Sequence, residues 1–221
     1  MPIPHSPAAT AAESSPLRML NILTLKPDHL SAFLPLMQNN AHESRKEPGN
    51  EAFWVFQDEQ GGNTLYLIES WTSQSALDAH MRTAPLRAVQ KAGQQALASP
   101  PVSLPIKATT LVPAFDLRPV QQTGHTRNVL VRLHVQPTAK KDFLQIIQNT
   151  LPQARKAHGN LIYDFFEVKD DPDQFILFER WDSVASHEAN LTLPYAKKLG
   201  AILPSLLASA SDRHLLKDVA P

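Results

Sequence analysis

The sequence predicts an α+β protein made of two tandem βαββαβ units whose antiparallel sheets pack face to face. Three observations support this prediction: an internal repeat, the order of elements in each repeat, and a strand that is apolar on both faces. Residues 20–80 align with residues 130–190 without a gap, and 17 of the 61 pairs are identical. A duplicated unit of this length indicates two folded domains rather than a solenoid, whose repeats run to roughly 20–50 residues.

The repeat divides the chain into four segments. We predict a flexible tail at 1–16, a first domain at 17–112, a linker at 113–126 and a second domain at 127–221. The tail is rich in proline, alanine and serine, and it lacks the basic start and apolar core of a secretory signal.

Each unit begins with a strand and a helix. Four apolar residues occupy alternate positions in the second-half strand: Val129, Val131, Leu133 and Val135. Such a period of two is typical of a strand, and apolar residues at helical spacing predict helices around 28–46 and 138–156. Pro35 and Pro152 lie inside these helices, where we expect kinks or early ends.

A hairpin, a second helix and a last strand complete each unit. The first half is predicted to have strands at 53–57 and 64–71, a helix from Ser73 to about Ala98, and a strand at 102–111. The second half is predicted to have strands at 162–168 and 174–181, a helix from Ser183 to about Ala208, and a strand at 213–219. The two serines are expected as helix N-caps, and Pro85 and Pro194 are expected to break the second helices.

This order of elements is the ferredoxin-like unit, in which helices cover one face of the sheet. The third strand is nevertheless apolar on both faces, with Phe175 and Leu177 on one face and Ile176 and Phe178 on the other. A sheet buried on both faces needs a second cover, and the sheet of the other half is the simplest one. We therefore expect a dimeric α+β barrel formed as a pseudo-dimer within one chain, with further homo-oligomerisation left open.

The composition argues against several classes of function. Lys+Arg and Asp+Glu both number 21, so a net charge of zero gives no reason to expect binding to nucleic acid or to an anionic membrane. Without cysteine there are no disulfides, catalytic thiols or cysteine–metal sites. Phosphate-loop and dinucleotide motifs are missing and the histidines are scattered, so we predict neither cofactor nor metal. No apolar run is long enough for a membrane span, and we expect a soluble, cytoplasmic protein.

Several motifs resemble the antibiotic biosynthesis monooxygenase family. Residues 69–71 (ESW) and 76–80 (ALDAH) resemble a stretch of that family's domains, and residues 47–49 (EPG) resemble the end of its first helix. The second half keeps the glutamate–tryptophan pair but has Asn190 in place of the histidine. The resemblance covers nearly all of both halves outside the tail and linker.

The resemblance implies a dimeric α+β barrel. Characterised members of the family include cofactor-independent monooxygenases that act on quinols and anthrones, while others degrade haem or act on small signalling molecules. Haem-degrading members pair a strand-one asparagine with a tryptophan and a histidine on the second helix. Here those two helix positions hold His80 and Gln90, so the set is incomplete and haem degradation loses support.

Two residues that differ between the halves are the candidate catalytic residues. His80, whose counterpart is Asn190, can accept a proton from a phenol near neutral pH; an exposed or capping histidine is the alternative. Asn21 lies on strand one where the second half has Val131, so the fold does not require an amide there. Because an unpaired buried amide costs roughly 1–3 kcal/mol, we expect Asn21 either to bind a backbone group or to line a cavity.

Trp71 and Tyr66 are the candidate substrate-binding residues. The Trp71 ring can stack on a planar substrate, although its counterpart Trp181 makes a core role shared by both halves the alternative. The Tyr66 hydroxyl can donate a hydrogen bond to a substrate oxygen, and core packing with a satisfied hydroxyl is the alternative there.

We therefore predict a cofactor-independent monooxygenase whose first half oxidises a planar, electron-rich aromatic of the quinol or anthrone type with dioxygen. His80 is assigned as the base, Asn21 as the residue that holds the substrate oxygen, and Trp71 as a wall of the pocket. The alternative is a non-catalytic barrel that binds a small hydrophobic ligand or serves as an assembly scaffold. The most informative observation is whether a cavity beside Asn21 and His80 is open in the first half and filled in the second.

Overall fold

The structure is a computed structural model that describes residues 16–109 and 123–220. The first half contains β1 (Leu17–Thr24), α1 (Leu30–Ser44), β2 (Asn50–Asp58), β3 (Thr64–Trp71), α2 (Gln74–His80), α3 (Ala84–Ala96) and β4 (Val102–Ala108). The second half contains β5 (Arg127–His134), α4 (Lys140–Lys156), β6 (Asn160–Val168), β7 (Asp171–Trp181), α5 (Val184–Leu191), α6 (Pro194–Leu206) and β8 (Asp212–Ala220). The predicted tail at 1–16 and linker at 113–126 fall mostly outside the described residues.

The eight strands of the described residues form one closed barrel in the order β1-β3-β2-β8-β5-β7-β6-β4. The last strand of each half joins the two halves, because β4 pairs with β6 and β8 pairs with β2. The prediction of two ferredoxin-like units combined into a barrel within one chain is confirmed. The two sheets are also hydrogen-bonded to each other along their edges, which the prediction of face-to-face packing did not include.

Alternate residues of each strand face two different cores. Side chains such as Leu20, Phe56 and Ile176 point into the barrel and form an apolar core shared by both halves. The opposite strand faces pack against the helices and form one further core in each half, around Trp71 and Trp181. The two-sided apolar pattern of the third strand therefore has a structural explanation.

The helices follow most of the predicted boundaries. The second helix of each half is broken as expected, with Pro85 and Pro194 in the first turns of α3 and α6. The expected early ends at Pro35 and Pro152 were wrong, because α1 and α4 continue past these residues. Packing of the apolar helix face against the sheet compensates for the one backbone hydrogen bond that each proline removes. Within the described ranges, no helix has the length and apolar character needed to cross a bilayer.

Candidate active site

A cavity of about 530 Å³ lies in the first half, between the outer face of the sheet and helices α1, α2 and α3. Its volume falls within the range of roughly 300–1,000 Å³ that is typical of small-molecule sites. The walls are mainly apolar and include Phe33, Met37, Phe53, Val89 and Leu97. The polar residues that line it are Asn21, Asn40, Glu69, His80, Gln90, Gln94 and Ser103. Such a combination suits an apolar ligand with a few hydrogen-bonding groups.

His80 is the last residue of α2 and is 2 % exposed, so the alternative of a solvent-exposed histidine does not hold. Helix α2 starts immediately after β3, and the Ser73 side chain caps it by accepting a hydrogen bond from the Ala76 N–H at 3.2 Å. The imidazole packs against the Trp71 and Phe53 rings, with centroid distances of 4.6 and 5.6 Å. Sheet residues therefore set the position of the ring at the edge of the cavity.

A carboxylate orients the His80 ring. Glu47 accepts a hydrogen bond from His80 Nδ1, at 3.1 Å to Oε1 and 3.2 Å to Oε2, and Ser44 Oγ lies 3.5 Å from the same nitrogen. Because the carboxylate holds the proton on Nδ1, the lone pair is on Nε2. Nε2 has no hydrogen-bond partner in the described part of the chain, which leaves it available to a ligand in the cavity.

The turn that follows α1 carries Glu47 to this position. The Glu47 N–H donates to the Ser44 carbonyl at 3.0 Å, and two residues later Gly49 has a φ of +84°. A glycine is needed there because a Cβ would come within 2.7 Å of the Ala76 methyl group. The Gly49 carbonyl accepts from the Thr72 N–H at 2.8 Å, which ties the turn to the start of α2.

Asn21 belongs to a chain of hydrogen bonds along the sheet. Its Nδ2 donates to Glu69 Oε1 at 2.6 Å, and its Oδ1 accepts from Ser103 Oγ at 2.6 Å. The other carboxylate oxygen of Glu69 accepts from Trp71 Nε1 at 2.8 Å. Asn21 thus lines the cavity and is paired with side chains rather than with a backbone group. One amide N–H of Asn21 remains for a ligand.

Trp71 and Tyr66 are not among the described residues that line this cavity. Trp71 is fully buried and lies behind His80, so it supports the histidine instead of forming a wall. Tyr66 points into the barrel, on the opposite face of the sheet, where its hydroxyl lies 3.0 Å from His214 Nδ1. Burial there raises the pKa of Tyr66 to about 12. Contrary to the prediction, neither residue lines this cavity: Trp71 supports His80 from behind, and Tyr66 lies on the opposite face of the sheet.

Asn40 and Glu47 are site residues that the sequence comparison missed. Asn40 on α1 is 1 % exposed, and neither polar atom of its amide has a hydrogen-bond partner among the described residues. An unsatisfied buried group of this kind costs about 1–3 kcal/mol. A signal for Glu47 was present, because its counterpart is Ala157 in the same half that has Asn190 in place of the histidine.

The equivalent region of the second half is occupied by its own side chains. Leu203 takes the place of Gly93 and packs against the second-half core, and the Tyr195 hydroxyl donates to Asn190 Oδ1. Arg213 replaces Ser103 and extends to within 3.5 Å of His187 Nε2. A cavity of about 90 Å³ remains there beside Thr150, Tyr195 and Leu199, so the first-half cavity is much the larger of the two.

Burial shifts the ionisation of the second-half groups. Desolvation raises the pKa of Glu179 to about 7, although the hydrogen bond from Trp181 opposes this shift. Desolvation, followed by the charges of Arg213 and Arg127, lowers the pKa of His187 to about 4. Burial therefore favours the neutral form of each group, as expected for side chains that fill a core.

The described residues offer hydrogen bonds rather than metal ligation. Between residues 16 and 109 and between 123 and 220, no group of three or more histidine, aspartate or glutamate side chains is placed to hold a metal ion. The polar groups of the first-half cavity are an imidazole, four amides, a hydroxyl and a carboxylate that is already paired. This set fits an uncharged organic molecule that carries oxygen atoms.

One family model matches both halves of the chain, and known proteins resemble it over part of its length. The model of the family "Antibiotic biosynthesis monooxygenase" matches residues 16–92 and 127–201. The Bacillus subtilis protein "Putative monooxygenase YcnE" is 28 % identical over 78 residues, which cover 35 % of this chain and 82 % of that protein. The uncharacterised Synechocystis protein sll1783 is 29 % identical over 83 residues, or 38 % of this chain, and the match spans only 56 % of that protein.

The fold also occurs in solved structures. The Fusobacterium nucleatum protein described as "Putative monooxygenase (FN1347)" aligns with a TM-score of 0.81 over 93 % of both chains. Sequence identity is 16 %, so this likeness concerns the fold. Because the alignment covers both halves, the tandem barrel architecture is shared.

Proposed function

We propose that this chain, which belongs to the antibiotic biosynthesis monooxygenase family, is a monooxygenase whose first half oxidises a planar, electron-rich aromatic of the quinol or anthrone type. The observation that carries the proposal is the Glu47–His80 pair at the edge of an apolar cavity that also contains Asn21. Family membership supports the general reaction class. The internal comparison supports the first half, because Val131, Asn190 and Ala157 replace all three polar residues in the second half.

The proposed reaction starts with proton transfer. A phenolic O–H of the substrate donates to His80 Nε2, and Glu47 stabilises the imidazolium that forms when the proton moves. The substrate anion is electron-rich and is held in an apolar cavity from which water is displaced. The free amide N–H of Asn21 donates to the negative oxygen and keeps it oriented.

Dioxygen then reacts with the substrate itself. The anion transfers one electron to dioxygen, and the two radicals combine at a ring carbon to give a peroxide. The O–O bond of the peroxide then breaks, and the hydrogen on the same ring carbon leaves as a proton, so the inner oxygen stays on the product as a carbonyl. The outer oxygen departs as water, which contains that proton and the proton that His80 returns. In total the substrate loses two hydrogen atoms, gains one oxygen atom and releases one water molecule, so it acts as its own reductant and the scheme requires no cofactor.

The test is dioxygen uptake with a panel of naphthoquinols and anthrones, compared with anaerobic incubation. We expect uptake by the wild type and a loss of about 10²–10⁴-fold in His80→Asn, the residue found in the second half. His158→Asn is the matched control, because it makes the same change at an exposed position. Undiminished uptake in His80→Asn contradicts the proposal, and ligand binding without any uptake favours a binding barrel instead.

A further inference from the structure

Asn40 differs from the other described polar residues that line the cavity, because both polar atoms of its buried amide lack a partner. The second half has Thr150 at this position, so the fold does not require an amide. A buried amide without hydrogen bonds destabilises the folded chain. Its presence is therefore explained best by a group that enters the cavity and completes its hydrogen bonds.

The position of Asn40 relative to His80 restricts that group. Ser44 lies one helical turn after Asn40, and its Oγ donates to the Asn40 carbonyl at 2.7 Å. The same Oγ is 3.5 Å from His80 Nδ1. A helical turn rises about 5.4 Å, so a ligand that reaches both the Asn40 amide and the His80 ring would need polar groups separated by roughly one ring.

The amide also restricts the chemistry of the group. Asn40 offers a donor at Nδ2 and an acceptor at Oδ1, and both are unpaired within the described residues. A carbonyl oxygen or an ether oxygen can only accept a hydrogen bond, so either group would pair with Nδ2 and leave Oδ1 unpaired. A hydroxyl both donates and accepts, so it can satisfy both atoms of the amide.

We infer that Asn40 is a specificity-determining residue that binds a second hydroxyl of the ligand, on the side away from the oxygen that meets His80. The inference rests on the proposed function for the placement of the first oxygen at His80. It adds that ligands with hydroxyls on two sides of the ring system bind in preference to ligands with one.

Binding affinities measured anaerobically test this inference without turnover. The two probes are a naphthol and the naphthalenediol with one hydroxyl on each ring, titrated calorimetrically into the full chain. We expect the wild type to prefer the diol by at least about tenfold, which corresponds to about 1.4 kcal/mol of binding free energy, and Asn40→Leu to bind both probes with equal affinity. Thr150→Val, at the counterpart position, should leave the preference unchanged.

Thermal unfolding without ligand separates recognition from a structural role. Asn40→Leu is expected to melt at a higher temperature than the wild type, because an apolar side chain replaces an unsatisfied amide. A lower melting temperature identifies Asn40 as a structural residue and overturns the inference. Equal binding of both probes by the wild type, a diol preference that survives in Asn40→Leu, or no binding of either probe also overturns it.

The outcomes distinguish this inference from the proposed function. A diol preference that depends on Asn40, combined with no dioxygen uptake, supports the role of Asn40 and rejects the monooxygenase. Uptake that depends on His80, combined with equal affinity for both probes, supports the monooxygenase and rejects the role of Asn40.

Discussion

The substitution Gly93→Leu should stabilise the protein and at the same time block its cavity. Gly93 is a buried residue of α3 that lines the cavity, and the second half has Leu203 at this position. A Cβ built on Gly93 makes only an ordinary contact of 3.4 Å with Leu97 Cδ1. The backbone there is helical, so leucine fits without strain.

The expected gain in stability has two parts. Replacing a glycine inside a helix contributes about 1 kcal/mol, and partial burial of the leucine side chain in the cavity contributes about 1 kcal/mol more. For a chain of this size, each kcal/mol raises the melting temperature by roughly 2–4 °C. We therefore expect an increase of about 4–8 °C, together with a loss of ligand affinity of at least about tenfold.

Thermal unfolding followed by circular dichroism and anaerobic titration of the naphthalenediol measure the two effects. Gly200→Ala is the control, because Gly200 is an exposed residue of α6 whose replacement gives the helical gain without entering the cavity. It should raise the melting temperature by about 2–4 °C and leave binding intact. Wild-type binding in Gly93→Leu refutes the assignment of this cavity as the site, and a lower melting temperature shows that the space is not available.

Two further predictions concern the carboxylates of Glu47 and Glu179. Glu47→Ala should lower kcat by up to about 10²-fold with little change in KM, because the His80 ring is no longer oriented towards the substrate proton. Steady-state dioxygen uptake measures both constants, and an unchanged kcat argues against an orienting role for Glu47. Burial raises the pKa of Glu179 from 4.5 to about 7 in the folded chain, so the folded state binds more protons between these values and the free energy of unfolding falls as pH rises through this window. Glu179→Gln should remove that decline, which amounts to roughly 3 kcal/mol at pH 8. Denaturant unfolding of both proteins at pH 5 and pH 8 measures the decline. An equal decline in the two proteins shows that Glu179 is not its source.

The fold could be predicted from the sequence because both halves carry the same local signals. The alternating strand, the capping serines and the two-sided third strand each depend on neighbouring residues and on burial. The pairing of β4 with β6 and of β8 with β2 could not be predicted in the same way. These contacts join residues far apart in the chain, and no local pattern specifies which edges meet.

The site was only partly predictable. His80 and Asn21 emerged from the differences between the halves, and the structure brings both to one cavity. Tyr66 faces the barrel interior rather than the cavity, and this could not be predicted, because a strand that is apolar on both sides gives no periodic signal to separate the barrel interior from the helix-covered surface. Asn40 was missed because a polar residue within an amphipathic helix normally indicates a solvent-exposed position.

Isotope labelling tests the central claim, that the first-half cavity around His80 performs a monooxygenation, most directly. The wild type and His80→Asn are incubated with an oxidisable naphthoquinol or anthrone under ¹⁸O-labelled dioxygen, and the product is analysed by mass spectrometry. We predict that the wild type incorporates one labelled oxygen atom into each product molecule and that His80→Asn forms little product. Product formed without the label, or labelled product formed equally by both proteins, contradicts the account.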